Sequence, residues 1–229
     1  MKEIYISPSD FAFLYEESKW GFHSKYICGI KRPPAIMPKI FNIIDTSIKT
    51  KYIGENLNRI NKNLPDAKLT GKDSWVASKA IVNENFPDLS IKIRGKIDAV
   101  LEYADGSHAI IDFKTSEINE KFLNKYKNQL YAYSYSVLNP ENSSKFSLDN
   151  LKNTGLLVFE PEEFHIDYND RAGLKGNFKW HEFELKLDEF ENFIVNELIP
   201  FLAGPEPEPS ESDNYWTYLK QFGFEYVKE

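Results

Sequence analysis

Two carboxylates and an amine stand close together in the stretch Gly95–Thr115, GKIDAVLEYADGSHAIIDFKT: Asp98 near its start, Asp112 and Lys114 near its end. A pair of acids with a lysine suits hydrolysis of a phosphodiester. Mg²⁺ prefers a few carboxylate oxygens, keeps several waters and bridges to substrate phosphate, so Asp98 and Asp112 are candidate ligands for one or two ions. Lys114 would orient the attacking water or offset negative charge developing at the phosphate. The competing reading of an acid-x-lysine on a strand is a solvated face. Asp98 weighs against it, because it interrupts the basic row Lys92, Arg94 and Lys96 at the right parity.

The elements that must position these groups are two strands and a turn. From Ile91 the residues alternate, with Ile91, Ile93, Ile97, Ala99 and Leu101 apolar and Lys92, Arg94, Lys96, Asp98 and Glu102 between them. That pattern predicts a half-buried strand with one polar face. His108–Thr115 reads as a second strand, in which Asp112 and Lys114 are two apart and share a side. Ala104–Ser107 is a turn signal. A two-residue Asp105-Gly106 loop would put Asp98 opposite Phe113 and on the wrong face. A three-residue loop, Ala104–Gly106 with Gly106 at positive φ, would put Asp98 opposite Asp112. One shared site therefore requires the longer loop or a bulge.

Gly95-x-x-Asp98, a hairpin turn and then Ile110-Ile111-Asp112-Phe113-Lys114-Thr115 resemble the core of the PD-(D/E)XK nuclease superfamily, in particular its RecB-like branch, which includes nucleases of CRISPR adaptation. In that branch a helix after the second strand carries Gln-x-x-x-Tyr. Asn128-Gln129-Leu130-Tyr131-Ala132-Tyr133 supplies it, with Gln129 and Tyr133 one helical turn apart. The resemblance implies an α/β fold with a restriction-endonuclease-like core, a central mixed sheet flanked by helices. It also implies that Gln129 supports the site and that Tyr133 contacts substrate or catalytic groups.

Composition sets bounds around this reading. Hydrophobic residues make up 41% and aromatic residues 15%, values of a globular chain. The formal net charge of -7 argues against an extended non-specific nucleic-acid surface, although Lys92, Arg94, Lys96, Lys121, Lys125 and Lys127 gather near the site elements. Cys28 is the single cysteine, which excludes a disulfide or an all-cysteine metal site within one copy. No apolar run has the length of a membrane span and the first residues lack a signal-peptide core, so the expectation is a cytoplasmic protein without membrane contact.

Along the chain, Ser7-Pro8-Ser9-Asp10 predicts a helix start with Ser7 or Ser9 as cap and Phe11, Phe13, Leu14 and Trp20 as apolar contacts. His23 reads as a packing residue or, alternatively, a metal ligand. Lys31-Arg32-Pro33-Pro34 is a basic loop. Pro38 begins a helix through Ile48, on which Asp45 follows Phe41 by one turn; the resemblance puts Asp45 where the family usually carries a metal-site histidine, and the alternative is a helix-surface aspartate. A second helix is expected over Lys72–Asn83, with Trp75 and Val76 packed and no chemistry.

Asn119 predicts the cap of a helix through about Val137, with Phe122, Leu123, Tyr126, Leu130 and Tyr133 as its buried stripe. Thr154–Glu160 and Phe178–Leu187 read as strands, His165 and His181 as structural residues, and Asp188 as the cap of a last helix, Glu189–Leu202. Residues 1–203 thus form the nuclease-like domain. Residues 204–229 add a Pro-rich linker and an aromatic segment, Tyr215 to Phe224, expected to dock on the body near Trp20. Iron-sulfur members of the branch carry cysteines in the early segment and in this tail. Here Asp213 and Trp216 stand in two of those places, so no iron-sulfur cluster is expected.

The expected function is a Mg²⁺- or Mn²⁺-dependent deoxyribonuclease, acting as an exonuclease on DNA ends or single strands. Asp98 and Asp112 would bind metal with help from Asp45; Lys114, Gln129 and Tyr133 complete the catalytic set. Partner proteins of a recombination or CRISPR-adaptation system would accompany it. The alternatives are a binding or interaction module that keeps the fold without turnover, and a small-molecule phosphoesterase.

Overall fold

The computed structural model describes residues 1–33, 37–166, 169 and 171–225, without the side chains of Lys72 and Lys121. Pro34 of the basic loop and the Lys121 side chain lie outside the described residues. A mixed sheet of seven strands runs in the order β1-β4-β5-β6-β7, with β2 and β3 also paired to β4. The strands are β1 (Lys2–Ile6), β2 (Ala67–Ala77), β3 (Ile81–Val82), β4 (Leu89–Tyr103), β5 (His108–Thr115), β6 (Leu151–Ile166) and β7 (Ala172–Phe183). β1 joins β4 and β5 joins β6 in parallel; the remaining pairings are antiparallel.

The long β4 organises the sheet. Its first part pairs with β1 and β3, its second with β2 and β5. The β5 to β6 crossover is helix α5 (Glu120–Leu138), as a parallel pair requires. Asn119 caps α5 by accepting the Phe122 N–H at 3.1 Å. Leu130, Tyr133 and Val137 of α5 are buried against Ile97, Val100, Ile110, Leu156 and Val158. Phe122, expected in this stripe, is exposed. Each fully buried aliphatic side chain here contributes about 1.5–3 kcal/mol relative to exposure.

Short helices α1 (Pro8–Ala12), α2 (Leu14–Glu17) and α3 (Lys19–His23) lead from β1 into a π-helical turn, Ser24–Cys28. Ser7 occupies the cap position of α1, but its hydroxyl bonds Ser9 Oγ instead of a backbone N–H. Helix α4 (Lys39–Tyr52) covers the other side of the sheet, where Ile48 joins Leu69, Ala99, Leu101, Ile111 and Phe113. The last helix of the body is one run of α6 (Leu187–Phe193), a π turn (Ile194–Leu198) and α7 (Ile199–Ala203). Lys186 stands at its cap, and Asp188 lies within its first turn.

Three further expectations need correction. Lys72–Asn83 is strand, divided between β2 and β3, and Trp75 is 63% exposed. A register shift between Leu69 and Gly71 and a left-handed Asp73 (φ 54°) break the alternation that would have revealed the strand. β6 and β7 extend well past the buried run, because they pair with each other as a two-stranded ribbon from Pro161 to Ile166 and Ala172 to Gly176. The tail docks through few of its aromatics: Trp216 of α8 (Asn214–Lys220) is buried, whereas Tyr218, Phe222 and Phe224 are exposed.

Its anchor is a carboxylate. Asp213 is fully buried; Oδ1 accepts the N–H groups of Tyr215 and Trp216 at 2.9 and 3.1 Å and so caps α8. Oδ2 accepts Ser18 Oγ–H and pairs with Arg32 Nη2 at 2.7 Å. Ser18 in turn caps α3 by accepting the Gly21 N–H at 2.8 Å. Trp216 packs edge-on to Trp20 with centroids 5.3 Å apart, and Arg32 lies over Tyr215. The tail is thus held near Trp20, with a buried acid at the centre of the contact.

Candidate active site

The hairpin loop is the three-residue form. Tyr103 N–H bonds Ser107 C=O at 2.8 Å, Gly106 has φ 78°, and Asp105 Oδ1 accepts the Ser107 N–H at 3.0 Å. Glu102 pairs with His108, and the ladder runs to Ala99 opposite Ile111, so its next step is Asp98 opposite Asp112. There the ladder stops. Asp98 Oδ2 accepts the backbone N–H of Phe113 at 3.0 Å, a carboxylate in the place of a strand carbonyl.

A change of phase accompanies the break. Strict alternation would put Ile97 and Val100 on opposite faces, yet both pack in the cluster beneath α5, while Ala99 and Leu101 join α4. The β4 backbone therefore turns near Asp98, which lets its side chain meet groups from both faces. Gly95 fixes the preceding segment: a Cβ there would lie 2.7 Å from Pro8 Cδ and 3.0 Å from Tyr133 Cε1. Only a glycine lets α1 and α5 close on β4 at this point.

On the α5 side, Asp112 is buried and in ion-pair contact with Lys114. Gln129 Nε2 donates to Asp112 Oδ1 at 3.3 Å, and Gln129 Oε1 is buried without a hydrogen-bond partner among the described residues. Burial, opposed by Lys114 and reinforced by Asp98, pushes the Asp112 carboxyl up to about 7. Burial works against the Lys114 charge, but Asp112 outweighs it and holds the ammonium above its usual range. Lys114 Nζ also lies 4.7 Å from the Tyr126 ring centroid. Tyr133 packs beneath, its hydroxyl pushed up by burial and then by the Asp112 charge.

On the α4 side, the sequence reading missed the central group. Lys49 is buried, and its ammonium contacts three carboxylates: Asp45 at 3.0 Å, Asp98 at 3.0 Å and Asp73 at 3.3 Å. Asp73 stands across from Asp98, since Lys72 pairs with Ala99 and Ser74 with Ile97. Like charges facing each other across strands repel, and Lys49 offsets this. Burial opposes the Lys49 charge; Asp98 and Asp45 overcome it and keep the group protonated well above the usual lysine range. Lys96 adds a second cation at 3.1 Å from Asp73. One signal was available: Lys49 follows Asp45 by four residues, the spacing of a helical ion pair.

The structure thus brings Asp98, Asp112, Lys114, Gln129 and Tyr133 together and ties Asp45 to the group through Lys49. Asp45 is half-exposed, and burial raises its carboxyl in spite of Lys49. Among the described residues, the one trio of His, Cys, Asp or Glu with donor atoms all within 4.8 Å of one another is His23, Cys28 and Glu206, at the tail linker. His23 there is buried, with Nε2 3.4 Å from Gly204 O. Two facing carboxylates, one with a raised affinity for a proton, and an unpartnered amide oxygen form an all-oxygen donor set that fits a hard divalent cation.

Comparison with known families agrees with this geometry. Residues 49–193 match the family model of the PD-(D/E)XK nuclease superfamily. The chain belongs to this superfamily. The PD-(D/E)XK match runs from Lys49 to Phe193 and so spans both strands of the hairpin and α5. One subunit of the ATP-dependent helicase/deoxyribonuclease of Staphylococcus epidermidis, in two strains, is 28% identical over 193 residues, 72% of this chain and 16% of the relative. This PD-(D/E)XK chain therefore spans about a sixth of that relative. The solved structure of SSO0001 aligns over 86% of this chain and 79% of its own, with 17% identity and a TM-score of 0.40. No helix among the described residues is long and apolar enough to cross a membrane.

Proposed function

We propose that this protein is a metal-dependent nuclease that hydrolyses DNA phosphodiester bonds, working as an exonuclease in DNA processing, recombination or repair. The observation that carries the reading is the junction at the end of the hairpin ladder, where Asp98 and Asp112 meet beside Lys114. Asp98 and Asp112 would hold a Mg²⁺ or Mn²⁺ ion, with Asp45 assisting. When bound, that ion supplies charge stabilisation at the phosphate and a more acidic water.

The chain's own groups do the rest. Lys114 stays charged against Asp112 and is placed to orient the attacking water and to offset charge on the phosphate. Gln129 holds Asp112 in one rotamer through its amide N–H. Tyr133, buried under Gly95, keeps α5 seated against β4, and contact with catalytic groups or substrate is the role proposed for its hydroxyl. Lys49, paired with Asp98 at 3.0 Å, holds that carboxylate aimed at the junction.

Similarity to part of a helicase/deoxyribonuclease subunit supports DNA as substrate and protein partners in general. Partners of a recombination or CRISPR-adaptation type and the cytoplasm as the place of action belong to the same proposal. The test is degradation of end-labelled DNA with Mg²⁺, Mn²⁺ or EDTA, comparing wild type with Asp112→Ala and Lys114→Ala. Metal-dependent cleavage lost in both variants is the expected result. Folded wild-type protein that cleaves neither DNA nor RNA with either metal overturns it, in favour of a binding module in which Lys49 holds the acids shut.

A further inference from the structure

Beyond Asp98, the polar face of β4 continues over Lys96, Arg94 and Lys92, and two rings flank it. Register sets Trp75 of β2 beside Lys96 and Tyr5 of β1 beside Lys92. Trp75 is 63% exposed and Tyr5 42%. The Arg94 guanidinium carbon lies 5.8 Å from the Trp75 ring centroid and 5.9 Å from that of Tyr5. A single exposed aromatic is ordinary. Two exposed rings bracketing an exposed cation on one strand face are a specific arrangement.

The charges on this face divide unequally. Lys92 is held by Glu3 and Glu141, each at 3.1 Å, and Lys96 by Asp73 at 3.1 Å. Arg94 makes no ion pair among the described residues. It is the cation this face offers to a ligand. Two residues of a strand advance about 6.8 Å, so Arg94 stands about 14 Å from Asp98, in line with the junction of the two acids.

We infer that Trp75, Tyr5 and Arg94 form a stacking platform for unpaired bases of a single-stranded nucleic acid whose backbone runs along β4 toward Asp98 and Asp112. Indole and phenol faces accept any base, and a guanidinium either stacks with them or pairs with a phosphate. Bases inside a duplex hide their faces, so the platform selects single strands or frayed ends. The inference rests on the proposed nuclease in one respect, that the bound strand is its substrate.

The test is binding without turnover. Tryptophan emission of the full chain in EDTA is titrated with a 12-nucleotide oligothymidine and with a blunt duplex of the same length, for wild type, Trp75→Phe, Trp75→Ala and Arg94→Ala. Trp75 and Arg94 are exposed, so circular dichroism should be unchanged in all four proteins. The single strand is expected to quench wild-type emission and bind at least tenfold more tightly than the duplex. Trp75→Phe should lose most of the quenching and keep most of the affinity, followed by anisotropy of a labelled oligomer. Trp75→Ala should lose roughly tenfold in affinity. Arg94→Ala should lower the slope of log affinity against log salt by about 0.7.

Equal affinity for duplex and single strand, or affinity that Trp75→Ala leaves unchanged, overturns the inference, as does the absence of oligonucleotide binding. The two readings fail separately. Metal-dependent cleavage with no response at Trp75 removes the platform and leaves the nuclease; quenching at Trp75 without cleavage does the reverse.

Discussion

Asp98 accepts the Phe113 backbone N–H at 3.0 Å, so one carboxylate both ends the β4–β5 ladder and stands at the junction of the acids. The two roles separate by substitution. Asp98→Asn keeps an acceptor for Phe113 and is expected to lose cleavage while costing under about 1 kcal/mol of stability. Asp98→Ala also leaves the N–H unpaired and should cost about 1–3 kcal/mol more. Urea denaturation of both variants beside the DNA cleavage assay measures the difference.

Asp112 makes stability depend on pH in a stated direction. Its folded carboxyl titrates at about 7, above the ordinary value of 3.8, so the folded state holds the extra proton. Stability in EDTA should therefore fall as pH rises from about 4 to about 7. Asp112→Asn should flatten this part of the profile. A bound divalent cation favours the ionised carboxylate, so added Mn²⁺ should move the fall to lower pH. Thermal melts across pH 4–8, with and without the ion, would reveal it.

Lys49 is the sole buried cation among Asp45, Asp73 and Asp98 in the described structure. Replacing it with methionine leaves three acids facing one another. Because two of those acids are more than a third exposed, the cost should stay near about 1–3 kcal/mol at low salt. Lys49→Met should also bind an additional Ca²⁺, which restores part of the loss. Calorimetric titration with Ca²⁺ decides this: unchanged stoichiometry and stability would mean that the lysine does not balance the cluster.

Asp213→Ala removes the α8 cap and one of the two carboxylates that pair with Arg32, leaving it Glu17 at 3.2 Å. Asp213 is fully buried, so a loss of about 2–4 kcal/mol is expected. Trypsin should then cut after Lys220, the last residue of α8, at lower enzyme concentration than in wild type. Limited proteolysis followed by mass spectrometry would detect the shift.

The hairpin was legible because its information is local. Parity, the Ala104–Gly106 turn and the Asp112/Lys114 spacing narrowed a shared site to the three-residue loop or a bulge, and the Asn119 cap with the α5 stripe, Phe122 apart, was equally local. The phase change at Asp98 was not legible: Ala99 and Leu101 continue the apolar alternation in sequence while their packing moves to the other face. Asp73 was hidden for a related reason, since its left-handed backbone lies where the strand pattern lapses. Lys49 acquires its meaning from acids on two strands distant in sequence. The aromatic tail showed that something must dock, but the grip belongs to Asp213, whose partners Ser18 and Arg32 no local pattern connects to it.

The contact between Ser18 and Asp213 spans 195 positions of chain, and it has a kinetic consequence. Closing so long a loop costs entropy before any contact returns it, and β1 must likewise wait for the distant β4. The β4–β5 and β6–β7 hairpins need no such wait, so they are expected to order first. The tail then docks last, and the junction of acids is built before the two ends of the domain are drawn together.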